Sequence, residues 1–213
     1  MDKFFNIDAP VIRALARVGE LMMFTALWFL CCLPVFTIGA STAALYRMMF
    51  QMRQDGSTKV SDFFRAFAQN FKRGTALWLI VILLAAALAV FYYLIALVES
   101  DIVRLVLLVV FCSLFLLSFI LVVYVFPLTA YFENTVINTI RNAIGMGMGH
   151  LRQSIPACAL CILPILAMVV FPNLFLRLLF LILMLVPGAV AYGIAGLLLP
   201  LFEKYSISAE DVE

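Results

Sequence analysis

A chain of 213 residues that is 66% apolar and only 12% charged cannot wet the surface of a soluble fold, because soluble domains carry about 25% charged residues. A net charge of +2 is too small for a nucleic-acid footprint, and one histidine leaves little for metal or general-base chemistry. Soluble, disordered and disulfide-rich secreted classes are thereby excluded, and an all-α polytopic membrane protein remains.

Five runs contain no Asp, Glu, Lys, Arg or His: Leu21–Tyr46, Gly74–Val98, Leu105–Phe132, Gln153–Leu176 and Leu178–Phe202. Each exceeds the roughly 20 apolar residues that a helix needs to cross hydrocarbon. The stretch before the first run carries three acids, which is too mixed for the n-region of a signal peptide. Leu33-Pro34 and Thr37-Ile38-Gly39 interrupt the first run, because proline removes a donor and clashes with the preceding turn. The pattern predicts a span over 18–33, a break near Pro34–Ala40, and a continuation helix over 41–54 capped by Ser41 and leaving the membrane at Arg47.

After an Asp55-Gly56-Ser57 turn, residues 59–73 read as a basic amphipathic helix. Phe63, Phe64, Phe67 and Phe71 share one face, while Arg65 and Asn70 lie elsewhere. Such a helix either rests in the headgroup layer as an elbow or docks a partner. Spans over 74–98 and 105–131 follow. Residues 134–152 form a second amphipathic helix, with Ile137, Ile140, Ile144, Met148 and Leu151 as its stripe. Asn138, Arg141 and Asn142 occupy its polar side, and Asn134 begins it. Gly145 and Gly149, four apart, permit close helix approach. The glycine run lacks a preceding strand and a Lys-Ser/Thr, so it is not a phosphate loop. The last two spans, 153–171 and 174–202, are joined through Pro172. In the last, Ala189, Gly193 and Gly196 mark a packing face. The whole reads as a single membrane domain, 1–213, of five spans plus two cytoplasmic amphipathic helices.

Five spans place the termini on opposite sides. The 47–73 loop, the 133–152 loop and the C-terminus then collect nine Lys and Arg against five on the other side. The positive-inside rule makes the richer side cytoplasmic, with the N-terminus outside. No ionisable residue lies mid-span, which disfavours proton-coupled transport. Cys158 and Cys161 have redox spacing but sit in an apolar run without basic neighbours, so all five cysteines read as packing residues. No catalytic residue, metal ligand or cofactor site is indicated, and no enzyme is expected.

Three stretches carry a family resemblance: LPVFTIGASTAALYRMM from Leu33, DFFRAFAQNFKRGT from Asp62, and FPLTAYFENTVINTIRNA from Phe126. Together they resemble the YesL-like family of bacterial integral membrane proteins, whose function is uncharacterised. The resemblance implies a gene context beside binding-protein-dependent ABC importers for oligosaccharides, and a place in the bacterial cytoplasmic membrane. It carries over no site residues. The chain lacks the Glu-Ala-Ala signature by which importer permeases engage their ATPase. The expectation is an accessory, non-enzymatic membrane protein of a carbohydrate ABC import system, with the lipid bilayer and importer permease subunits as partners. The alternative is a small permease or channel working alone as a homo-oligomer. A membrane-embedded sensor is disfavoured by the lack of any large loop.

Overall fold

The computed structural model describes residues 10–54 and 58–210, and every regular element among them is a helix. In chain order these are α1 (Pro10–Cys31), a 3-10 turn (Val35–Thr37), α2 (Ile38–Gln54), α3 (Val60–Ala96), α4 (Asp101–Tyr131), α5 (Val136–Gly149), α6 (Leu151–Val170), α7 (Pro172–Arg177) and α8 (Leu179–Glu210). Among the described residues, four helices are long and apolar enough to cross a membrane: α3, α4, α6 and α8. Five were expected, and the difference lies in the first apolar run.

That run does break at Pro34, but it turns back instead of continuing. The Thr37 N–H donates to the Pro34 carbonyl (2.9 Å), and its single hydroxyl proton is shared between the Cys31 and Pro34 carbonyls, each 2.6 Å from Oγ1, which serves acceptors that the missing helix turn leaves open. The α-helix resumes at Ile38, so Gly39 and Ala40 are already helical. Ser41 is not a cap. Its hydroxyl donates to the Trp28 carbonyl (3.0 Å), and Trp28 Nε1 donates to Thr42 Oγ1 (3.1 Å). At the other end, Arg17 donates to the Met52 carbonyl (2.8 Å). Helices α1 and α2 are therefore an antiparallel hairpin with its tip at the break, and the expected span 18–33 with a continuation over 41–54 is corrected to this reversal.

Helix α3 runs 37 residues without interruption, so the expected 59–73 helix and 74–98 span are one rod. At 1.5 Å per residue it is about 55 Å long, well beyond a hydrocarbon core of about 30 Å. No serine or threonine caps it; the preceding residue is Lys59, whose side chain makes no capping bond. The Asp55-Gly56-Ser57 turn lies outside the described residues. Gly74 sits where α3 crosses α2, and a methyl group there would lie 2.7 Å from Ala40 Cα. Opposite it, Gly39 faces the Gly74 carbonyl and Trp78 Cβ. The glycines serve a helix crossing in which the two backbones nearly touch.

Helix α2 is the centre of the molecule, packed against α1, α3, α4 and α8. Ala40, Ala43, Ala44, Met48 and Met49 are fully buried. Buried positions in the other helices cluster at the same end. They begin at Ile120 in α4, stop after Ala157 in α6, begin at Gly188 in α8, and in α3 run from Phe63 to Leu77 with Ile95 apart. The outer halves form two arms, α3 with α4 and α6 with α8, whose apolar side chains are exposed. We call the end holding α2 the α2 pole. The 97–100 turn and α7 lie at the far pole.

Helix α5 leans on α4. Thr139, Ala143 and Gly147 are its buried face, and a methyl group at Gly147 would meet Ile120. The expected apolar stripe is split: Ile137 is 77% exposed and Met148 58%, whereas Ile140 and Ile144 are half-buried against the core. The chain breaks at His150 between α5 and α6, one residue beyond the glycines. Ser154 Oγ bridges the break, bonded to the Gly147 carbonyl (2.6 Å) and to Tyr124 Oη (2.7 Å).

Candidate functional site at the α2 pole

Two polar features lie at this pole. The first is a surface cluster that ties the hairpin to α8. Arg53 reaches from the end of α2 to the Tyr192 carbonyl, with bonds of 2.7 and 3.0 Å, and its guanidinium stacks on the Tyr192 ring 3.9 Å from the centroid. Arg17 reaches the Tyr192 hydroxyl from α1 (3.4 Å). Gly196 makes room for this, because a Cβ there would fall on the Arg53 guanidinium. Stacking and bonding to helix carbonyls stabilise a guanidinium without a carboxylate. This cluster is architectural, since it closes the hairpin onto the last helix.

The second feature is a cavity of about 490 Å³ lined by Phe132, Asn134, Arg141, Asn142, Gly145, Met146 and Tyr205. The α4–α5 connection supplies Phe132 and Asn134, and α5 supplies the next four residues. Thr135 caps α5 by accepting from the Asn138 N–H (3.4 Å), which fixes where the polar side of the helix points. The Asn134 carbonyl accepts from Arg73 (3.4 Å), and Arg73 also lines a neighbouring cavity of about 630 Å³ with Phe67, Gln69, Phe71 and Lys72. Neither cavity is lined by a carboxylate. Amide donors, a guanidinium, a phenol and aromatic walls suit non-covalent recognition of a polar or anionic group.

The sequence-predicted residues divide. Asn134, Arg141, Asn142 and Gly145 converge on the cavity, whereas Asn138 is exposed beside it. Phe67 and Phe71 border the second cavity, with Phe67 half-buried and Phe71 at 37% exposure. Phe63 is fully buried, its ring 6.3 Å from that of Phe24 of the hairpin. Phe64 and Arg65 are exposed. Asn70 is buried, and its amide donates to the Ala66 carbonyl (3.0 Å). It belongs to the α2–α3 contact, not to a docking surface. Gly193 lies against Leu160 and Gly196 against Arg53, as packing residues should. At Gly149 and Gly145 no atom lies within 4 Å of where a Cβ would be, and Ala189 is exposed beside an apolar cavity. Tyr205, Phe132 and the Arg17–Arg53–Tyr192 cluster were missed. Their partners lie far along the chain, and no local spacing announces them.

A family model described as "Protein of unknown function, DUF624" matches residues 21–92. The matched segment holds half of α1, all of α2 and nearly all of α3. No curated protein and no solved structure matches the chain.

Proposed function

We propose that the chain is an accessory, non-enzymatic membrane subunit of a bacterial carbohydrate ABC import system. It works by lateral association with importer permease helices in the cytoplasmic membrane. The observation that carries this reading is the pair of apolar arms. The outer halves of α3, α4, α6 and α8 leave Leu83, Phe115, Leu163 and Phe180 exposed at 55 to 75% while the core is gathered at the α2 pole. A cavity between α3 and α4 is lined mainly by apolar side chains such as Leu84, Leu88, Phe111 and Phe119, with Tyr92 and Ser118 as its polar members. Helix faces of this kind suit lipid and other transmembrane helices. The carbohydrate and importer part of the reading rests on the YesL-like resemblance.

The same reading includes a topology. Helices α3, α4, α6 and α8 cross the membrane, and the α1–α2 hairpin enters and leaves on one side. Both termini and the 132–135 connection then share that side with the 55–59 connection. Twelve of the fourteen Lys and Arg fall there, leaving only Arg104 and Arg177 opposite. This is a far stronger positive-inside bias than nine against five, and it makes the α2 pole cytoplasmic.

The test of the function is affinity purification of the tagged protein in mild detergent. Importer permease subunits in the eluate support the accessory role. A pure homo-oligomer that passes solute in liposomes refutes it in favour of a stand-alone permease.

A further inference from the structure

We infer that the cavity between α5 and α8 binds the phosphate of an anionic phospholipid. The inference does not depend on the importer association. Three observations carry it. First, Arg141 lines this cavity, Arg73 and Lys72 line the other, Arg73 reaches the Asn134 carbonyl of the first (3.4 Å), and no carboxylate lines either one. The ion pair found among the described residues joins Arg104 to Asp101 at the far pole (3.6 Å), and Glu203 is turned to Gln54 (3.4 Å). The guanidinium of Arg141 thus faces an open polar cavity with neighbouring amides from Asn134 and Asn142 and the phenol of Tyr205. That is a donor-rich set suited to phosphate oxygens.

Second, Gly145 lines this cavity with nothing within 4 Å of where its Cβ would be, so a large side chain placed there has room to project into it. Third, the residue next to it, Ile144, lines an apolar groove of about 520 Å³ between α3 and α4, with Leu84, Leu88, Phe91, Leu114 and Leu121. Ile137 and Met148 of α5 and Leu151 at the start of α6 are exposed apolar side chains. One helix therefore presents a cationic cavity and, one turn away, a lipid-facing groove. A molecule with a phosphate at one end and acyl chains at the other satisfies both. A free phosphate satisfies only the first. Basic pockets between helices on the cytoplasmic side are a recognised form of anionic headgroup site.

The full-length protein, purified in maltoside detergent, is titrated with dioctanoyl phosphatidylglycerol, dioctanoyl phosphatidylcholine and inorganic phosphate. Binding is read by native mass spectrometry and thermal shift. Phosphatidylglycerol is expected to bind at least about tenfold tighter than the other two: phosphatidylcholine carries the same phosphate beside a quaternary ammonium that the Arg and Lys side chains repel, and inorganic phosphate has no acyl chains for the groove. Arg141→Gln should lose that advantage, and Gly145→Leu should lose it by filling the cavity with the arginine retained. Arg65→Gln, an exposed arginine outside both cavities, should bind as the wild type does. Wild-type affinity in Arg141→Gln, or in Gly145→Leu, overturns the site. Inorganic phosphate binding as tightly as phosphatidylglycerol overturns the lipid as its occupant.

Discussion

Replacing Gly74 with alanine adds one methyl group at the α2–α3 crossing. Its carbon would lie 2.7 Å from Ala40 Cα, 2.8 Å from Ala40 N and 3.0 Å from the Gly39 carbonyl carbon. Ordinary contact between such atoms is about 3.5–4.0 Å, so the helices must separate by about 1 Å. The obstructing atoms are backbone, and no rotamer change relieves them. Overpacking of this kind costs about 1–3 kcal/mol, and the rigid neighbours put Gly74→Ala at the upper end. For a chain of this size, about 1 kcal/mol moves Tm by about 2–4 °C. Gly74→Ala should therefore lower the thermal unfolding midpoint in detergent by roughly 5–10 °C. Gly145→Ala is the matched control: it makes the same chemical change in a helix with open space around it. Its higher helix propensity makes it neutral or stabilising, by up to about 1 kcal/mol. An unchanged midpoint in Gly74→Ala, or an equal loss in both variants, would refute the close crossing of α2 and α3.

Further expectations follow from the same contacts. Gly196→Ala should displace Arg53 from the Tyr192 carbonyl. Arg53→Ala and the double variant Arg53→Ala/Gly196→Ala should then be equally destabilised, by about 1–2 kcal/mol in chemical unfolding; additive losses would show that the two residues act separately. Phe63→Ala should cost about 3–5 kcal/mol, because the ring is fully buried, while exposed Phe64→Ala should stay within about 1 kcal/mol; comparable losses would contradict the assigned face of α3. Tyr124→Phe should cost only about 1 kcal/mol, since Ser154 keeps its bond to the Gly147 carbonyl; a much larger drop in Tm would mean that the hydroxyl holds the α5–α6 break together.

The long apolar runs were legible, and four of them became α3, α4, α6 and α8. Pro34 announced a break that the structure contains, with Thr37 closing it. The direction of the chain after the break was not legible, because a kinked span and a returning hairpin have the same composition. The evidence for reversal lies in pairs such as Arg17 with Met52, 35 residues apart. Which faces of the segments 59–73 and 134–152 pack was only partly legible. For the first, the sequence is compatible with an elbow in the headgroup layer or a docking helix. In the structure Phe63 is buried with Ala66, Asn70, Gly74 and Leu77 while Phe64 is exposed, and on α5 Thr139, Ala143 and Gly147 are buried. Beside lipid, apolar side chains have no preference for the interior and small residues permit close approach, so an aromatic stripe alone does not mark the contact face. The basic cavity was half legible: Asn134, Arg141 and Asn142 stood out on α5, but its far wall comes from Tyr205 of α8.

The hairpin and the four crossing helices make one direct claim about sidedness. In a background with Cys31, Cys32, Cys112, Cys158 and Cys161 replaced, single cysteines at Asn6, Ser57, Ser100 and Asn173 are exposed to an impermeant thiol reagent on intact cells. The fold proposed here predicts labelling at Ser100 and Asn173 and protection at both Asn6 and Ser57 until the cells are permeabilised. Labelling at Asn6 with protection at Ser57 would mean that the first apolar run crosses the membrane, and it would contradict the hairpin.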